Sequence, residues 1–144
     1  MPADLVALLD PAHTALVTQE CQNGVLGERA IFPELAGIAG AEMIPNASRL
    51  AKAARAAGVH VVHCVAMRRS DGLGSSTNAR LFAAARKASV QLTPGTDAVQ
   101  VIPEIGVEEG DIVLSRLHGL GPMAGTDLDP VLRNLGVRTI VAVG

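Results

Sequence analysis

The sequence predicts an α/β protein with a mainly parallel sheet that is covered by helices on both faces. Four short segments rich in Val, Ile and Leu alternate with amphipathic segments, which is typical of β-α units in a parallel sheet. The chain of 144 residues has the length of one domain. Hydrophobic residues make up 49% of it, but Phe32 and Phe82 are its only aromatic residues. We therefore expect an aliphatic core and no site that stacks a ligand on several rings.

The elements follow from apolar spacing and from turn residues. Strands are predicted over 14–19, 59–65, 112–115 and 139–143. Helices are predicted over 4–9, 42–57, 77–87 and 126–135, where apolar residues recur every three or four positions. The segment 21–40 is rich in glycine, contains Pro33 and shows no clean period, which predicts a long loop, and loops of that length are usually functional or mobile.

Composition and charge exclude several classes of function. The net charge is −2 with scattered Arg and Lys, so we expect binding to neither nucleic acid nor an anionic membrane. Two cysteines far apart in sequence fit a reducing compartment, and the acidic start of the chain is unlike a signal peptide. Apolar runs are too short to span a bilayer. These features predict a cytoplasmic protein.

Charged side chains follow two of the predicted strands. Glu20 comes directly after the first strand, and Arg116 and His118 follow the third. The carboxyl ends of parallel strands lie along one edge of a sheet, where ligands bind. An acid and a cation at that edge can transfer protons or hold a carboxylate. A purely structural ion pair is an equally good interpretation from spacing alone.

Other reactive residues give weaker signals. Cys21 should face away from Glu20 on an extended chain, so we interpret it as a small buried residue. The histidines at 60 and 63 are expected in the core or at its rim, and no metal-ligand motif occurs. Residues 119–124 formally fit a dinucleotide pattern, but Pro122 and the lack of a following acid argue against a nucleotide. No metal or cofactor is predicted.

Five motifs, in order, resemble the isochorismatase-like hydrolases, also called cysteine hydrolases. Residues 15–23 (ALVTQECQN) resemble the first strand of that family with its Asp-x-Gln-Asn end. Segments 45–50, 53–62 and 110–116 resemble its first helix, second strand and lysine-bearing strand, and 125–137 its Gly-Thr-x-Leu helix. The resemblance implies a three-layer α/β/α fold and a catalytic acid, lysine and cysteine.

The chain departs from that family pattern at three positions. Glu20 stands at the acid position and Arg116 at the lysine position, while the cysteine position would fall a few residues after Gly144. The strand predicted over 139–143 also has no covering helix after it. We therefore expect residues 1–144 to belong to one domain that is incomplete at its C-terminus, and a homo-oligomer (dimer or tetramer).

The resulting hypothesis is a hydrolase of a small polar molecule, cleaving an amide or carbamoyl C–N bond or a vinyl ether. Glu20 is assigned as acid/base and Arg116 as its partner, a residue that can hold a carboxylate bidentately. Gln22, Asn23 and His118 are the predicted substrate contacts. The alternative is a catalytically inactive binding or scaffold protein on the same fold.

Overall fold

A computed structural model describes residues 4–144 and contains the predicted parallel sheet. Its strands are β1 (Thr14–Gln19), β2 (His60–Ala66), β3 (Ile112–Arg116) and β4 (Thr139–Val143). The strand order is β3-β2-β1-β4 and every pairing is parallel. All four predicted strands are present, with ends shifted by at most one residue.

Five α-helices connect and cover these strands in the described part of the chain. They are α1 (Leu5–Leu8), α2 (Asn23–Leu26), α3 (Pro33–Ala56), α4 (Arg80–Lys87) and α5 (Leu128–Asn134). The predicted helices at 4–9, 42–57, 77–87 and 126–135 correspond to α1, the second half of α3, α4 and α5. None of the helices in residues 4–144 is long and apolar enough to cross a membrane.

The prediction of a loop over 21–40 is wrong, because α2 and the first half of α3 lie there. Pro33 occupies the start of α3. The backbone N–H that proline lacks would have no helical partner at that position. Pro45 lies inside α3 and removes one helical hydrogen bond. Ala41, whose carbonyl loses that donor, is solvent-exposed. The helix therefore continues through residues that in sequence look like breakers.

The core consists of two apolar layers, one on each face of the sheet. Alternate residues of β1 point to opposite faces, so Leu16 packs toward α3 and Val17 toward α5. Buried alanines, Ala47 and Ala51, bring α3 close to the sheet, and Leu128 anchors α5 on the other side. This arrangement confirms the three-layer α/β/α architecture.

A chain of buried polar groups crosses the α3 side of the sheet. Thr18 Oγ1 lies 2.8 Å from His63 Nδ1, and His63 Nε2 lies 3.2 Å from Asp111 Oδ2. Arg55 of α3 donates to both carboxylate oxygens of Asp111, at 2.6 and 3.3 Å. The backbone N–H of Glu108 donates to the same carboxylate at 2.8 Å. We call these groups the Asp111 network.

Candidate active site

Glu20 leaves β1 in an unusual backbone conformation. Its φ is +56°, the one positive value among the non-glycine residues of 4–144. Such a conformation costs about 1–3 kcal/mol and persists only where the surroundings impose it. Here the N–H of Glu20 donates to the Cys64 carbonyl and its own carbonyl accepts from the Gln22 N–H, both at 2.8 Å. The backbone therefore turns away from the direction of β1 at Glu20.

Arg116, the last residue of β3, lies in direct contact with Glu20. Its Nη2 donates to Glu20 Oε1, and its Nε donates to the Gly119 carbonyl at 3.3 Å. The Arg116 side chain is only 3% exposed, whereas that of Glu20 is 23% exposed. The structure thus brings together the predicted acid and cation and leaves the acid accessible. Arg116 Nη1 is buried without a hydrogen-bond partner among residues 4–144.

A cavity of about 300 Å³ opens beside this pair. Glu20, Arg116 and His118 line it, together with the glycine loop after β3. Most of its wall is apolar and includes Ile31, Phe32, Leu35, Leu81, Phe82, Leu92, Leu117 and Leu120. His118 Nε2 lies 3.3 Å from the Gly125 carbonyl, which holds the ring at the edge of that loop.

Gln22 and Asn23, the other two predicted substrate contacts, lie outside this cavity. Gln22 is fully buried, and its Nε2 donates to the carbonyls of Ala66 and Ala98 at 2.9 and 3.1 Å. Its Oε1 accepts from the Ala66 N–H at 2.7 Å. Asn23 Nδ2 donates to Asp97 Oδ1 at 3.0 Å, and Asn23 lines a separate cavity of about 660 Å³. Both amides hold the segment after β1 against residues 97–98, and Gln22 also binds it to the end of β2.

Both cysteines of the chain are buried and hold their protons firmly. Burial, reinforced by the negative charge of Glu20, raises the pKa of the Cys21 thiol to about 11. Burial likewise raises the pKa of Cys64 to about 11, although the charge of Arg116 opposes that rise. A nucleophilic cysteine requires a thiolate near neutral pH. Neither thiol meets that requirement.

Several residues of the cavity were not predicted as site residues. Phe32 and Phe82, the only aromatic residues of the chain, both line the cavity, although composition favoured a site without stacked rings. Arg68, two residues beyond β2, also lines it, and its Nη1 donates to Gln91 Oε1 at 3.1 Å. The sequence feature that could have indicated Arg68 as a site residue is the pair of adjacent arginines, 68 and 69, at the start of a glycine- and serine-rich segment.

A second cavity, of about 290 Å³, lies on the other side of Glu20. Gln19, Leu26, Val143 and Gly144 are among its lining residues. It extends along the end of β4, which pairs directly with β1. Glu20 therefore stands between two openings, one toward Arg116 and one toward β4.

The arrangement has the parts of a proton-transfer site and shows no metal cluster. Within residues 4–144 no group of three or more His, Cys, Asp or Glu side chains is placed to hold a metal ion. Thr18, His63 and Asp111 do form a hydroxyl–imidazole–carboxylate chain like that of some hydrolases. Thr18 is 1% exposed and lines none of the three cavities, so this chain has no access to substrate.

Comparison with known proteins decides the family. The model of the isochorismatase domain matches residues 14–144. The chain belongs to the isochorismatase family. The resemblance carried by the five sequence motifs is confirmed at this level.

Two similar proteins illustrate the match. Ureidoacrylate amidohydrolase RutB from Rhizobium rhizogenes is 34% identical over 151 residues, covering 94% of this chain and 60% of the relative. A solved structure of a cysteine hydrolase from Pseudomonas syringae pv. phaseolicola superposes with a TM-score of 0.76 and 27% identity, covering 94% of this chain and 60% of that one.

A third similar protein is N-carbamoylsarcosine amidase from Thermoplasma acidophilum, with a TM-score of 0.65 and 26% identity. That match covers 92% of this chain and 67% of the amidase. The chain thus spans about 60% of the length of the curated relative described above. Each of these matches covers most of the sheet and most of the helices of this chain.

Proposed function

We propose that this chain carries the acid/base part of a hydrolase site that cleaves an amide or carbamoyl C–N bond of a small substrate. The observation that carries the proposal is the contact between Arg116 and the partly exposed carboxylate of Glu20 beside a cavity. The names of two similar proteins, an amidohydrolase and an amidase, support the choice of a C–N bond.

In this proposal Glu20 moves the proton and Arg116 fixes its position. As a carboxylate, Glu20 accepts a proton from the attacking nucleophile and returns it to the leaving nitrogen. Arg116 stays charged and holds one carboxylate oxygen, which leaves the other free to act. His118 contributes a further donor or acceptor at the cavity wall.

The nucleophile is proposed to come from the side of β4. The raised pKa values of Cys21 and Cys64 speak against both as thiolates. We propose that residues 1–144 are part of a single longer domain in which a cysteine follows β4. The parallel pairing of β4 with β1 supports this proposal, because Val143 lies beside Thr18 and a residue that follows β4 would lie near Glu20. Reading the coding sequence beyond Gly144 tests it directly, and a non-thiol residue at that position would contradict it.

A second candidate function is binding without catalysis. It is favoured by the burial of Cys21 and Cys64, which leaves Glu20 and Arg116 without an accessible thiol among residues 4–144. If no thiol follows β4, vinyl ether hydrolysis with Glu20 as the acid is the remaining catalytic option. A panel of carbamoyl amines, simple amides and vinyl ethers separates these functions.

We also propose a homo-oligomer, either a dimer or a tetramer, located in the cytoplasm. β4 lies at an edge of the sheet and its Ile140 is 41% exposed. Open sheet edges with apolar residues are commonly covered by another copy or by further chain. Light scattering of the purified protein gives the mass that tests this proposal.

The decisive experiment on Glu20 is the Glu20→Gln variant measured on that panel. The amide keeps the size of the side chain and can still accept from Arg116, but it cannot transfer the proton. We expect kcat to fall about a hundredfold or more. Glu109→Gln, at an exposed position outside the three cavities, is the matched control and should retain full activity. Equal activity of the two variants would refute the role of Glu20.

A further inference from the structure

Helix α4 has an apolar face that is not part of the core. Leu81, Phe82 and Ala85 lie on one side of the helix, because residues three and four positions apart are neighbours on its surface. All three line the cavity beside Glu20. No residue of α4 is buried, and neither apolar layer of the core in residues 4–144 includes one. The apolar face of α4 therefore borders an open cavity where a packing partner would be expected.

Two other segments complete the apolar wall of this cavity. Phe32 and Leu35 come from the start of α3, and Leu117 and Leu120 come from the loop after β3. These three leucines are 45–60% exposed, so a ligand can reach the wall. Phe32 and Phe82 are the only aromatic residues of the chain, and both contribute to this wall. Such a surface favours an apolar or aromatic group of a ligand.

The arginines that line the cavity are already bound to other groups of the chain. Arg116 is 3% exposed and donates to Glu20. Arg68 Nη1 donates to Gln91 Oε1, and Arg68 Nε is buried. A negative charge on the ligand would share the cavity with the carboxylate of Glu20, and the apolar wall would remove its hydration. We therefore expect the part of a ligand that lies along this wall to be uncharged.

The volume of the cavity limits the size of that part. About 300 Å³ is at the small end of the range found for ligand cavities. A single ring or a short alkyl chain suits such a space better than a long lipid chain does. Glu20 and Arg116 line the same cavity as both phenylalanines. A substrate whose scissile bond lies at Glu20 can therefore place its adjoining group against Phe32 and Phe82.

We propose that the substrate carries an uncharged apolar group, a phenyl ring or a short alkyl chain, that occupies the cavity between α3, α4 and the loop after β3. This inference rests on the proposed function for the location of the scissile bond, and it adds a substrate class. Phe82 is assigned as a specificity residue, because it contributes the largest side chain of α4 to the wall. The apolar group also provides α4 with a packing partner.

Binding of benzylacetone, measured by NMR titration, tests this proposal without any turnover. This ketone has the shape of an amide with a phenyl group, but it contains no C–N bond. Butanone lacks the phenyl group, and levulinate has a carboxylate in its place. Because burial of a ring is favourable in proportion to its apolar area, we expect benzylacetone to bind at least about tenfold more tightly than butanone. Levulinate should bind no more tightly than butanone.

Phe82→Ala should remove most of the preference for benzylacetone over butanone, and Phe82→Leu should retain part of it. Alanine favours a helix and Phe82 lies outside the core, so we expect α4 to stay folded. Ile38→Ala is the matched control, because Ile38 is a large apolar residue of α3 that is 79% exposed and lines none of the three cavities. It should leave the affinity for benzylacetone within about twofold of the unmodified protein.

Amide hydrogen exchange provides a second measurement that needs no variant. Benzylacetone should slow the exchange of residues 80–87, because a ligand packed against α4 stabilises that helix. Equal affinity for benzylacetone and butanone, or an unchanged preference after Phe82→Ala, would overturn the proposal. A lower oligomer mass of Phe82→Ala in light scattering with unchanged hydrogen exchange would also overturn it, since the wall would then contact a second copy. A preference for benzylacetone that depends on Phe82 in a protein without hydrolase activity would support this inference and contradict the proposed function.

Discussion

Two carboxylate–guanidinium pairs of this chain differ in how completely their hydrogen bonds are satisfied. Asp111 is 3% exposed and accepts from Arg55, from the His63 ring and from the Glu108 N–H. The Glu20 side chain is 23% exposed, and its carboxylate accepts from Arg116 alone among the described residues. The first pair lies between α3 and the sheet, and the second lies at the carboxyl edge of the strands.

The backbone conformations of the two acids, Asp111 and Glu20, also differ. Asp111 immediately precedes β3 in an ordinary conformation, whereas Glu20 has a positive φ. Cavities adjoin Glu20 on two sides, and none of the three is lined by Asp111. A fully paired, enclosed acid stabilises a fold, and a strained, half-paired acid beside a cavity can act on a ligand. The contrast supports a structural role for the Asp111 network and the acid/base role that we propose for Glu20.

The largest expected effect on stability is that of Asp111→Asn. An amide nitrogen at one of the carboxylate positions would face the N–H donors of Arg55, His63 or Glu108, and the charge of Arg55 would lose its partner. Breaking such a pair costs about 3–5 kcal/mol of unfolding free energy. Urea unfolding measures it. Asp129→Asn, which disrupts an exposed pair with Arg133, is the control and should leave the unfolding free energy almost unchanged.

Gln22→Ala is expected to have the next largest effect. It removes three hydrogen bonds and leaves the N–H and carbonyl of Ala66 and the carbonyl of Ala98 without a partner. Each buried group left unpaired costs about 1–3 kcal/mol, so we expect a total loss of a few kcal/mol in urea unfolding. The same variant tests the prediction that Gln22 contacts substrate.

If Gln22 acts only as a clamp between the ends of β1 and β2, the KM of the folded Gln22→Ala variant stays unchanged. A higher KM at a temperature where the variant is fully folded would instead support direct substrate contact. Asn23→Ala provides the comparison, because Asn23 is likewise predicted to bind substrate but lies on a different cavity and bonds to Asp97. The KM values of the two variants together show whether Gln22, Asn23 or neither of them contacts the substrate.

Much of the scaffold could be predicted because it depends on local patterns. The runs at 14–19 and 139–143 are apolar and β-branched, and parallel pairing then requires Glu20 and Arg116 to share one sheet edge. The first half of α3 could not be predicted, because Pro33, Gly37 and Gly40 leave no clean helical period there. Helix formation there is decided by tertiary packing and solvent access, which a local pattern does not contain.

The finer features of the site depend on contacts between segments distant in sequence. The positive φ of Glu20 is imposed partly by a hydrogen bond to Cys64 on the neighbouring strand. Arg68 donates a hydrogen bond to Gln91, which lies 23 residues further along the chain, and the Asp111 network connects residues from β1, β2 and α3. Residue types alone indicated which groups could react. They did not indicate which of those groups would be left unpaired.

The smallest expected effect is a pH dependence of stability that comes from the Asp111 network. Burial lowers the pKa of His63, although Asp111 opposes that shift. Neutral His63 also fits its contacts, since Nε2 can donate to Asp111 while Nδ1 accepts from Thr18. Below the unfolded-state pKa of 6.5, the unfolded chain therefore binds a proton that the folded chain does not. Stability should fall there by at most about 1.4 kcal/mol per pH unit.

Asp111 contributes in a different pH range, which allows the two groups to be separated. Burial pushes the pKa of Asp111 upward, but the hydrogen bonds from Arg55, Glu108 and His63 together keep it below the usual value. Its contribution is present above about pH 4 and is lost only at more acidic pH. The decline between about pH 6.5 and 5 should therefore come from His63. Urea unfolding of His63→Gln should show a lower stability at about pH 8 but a shallower decline toward pH 5, and an unchanged slope would show that His63 does not resist protonation in the folded state.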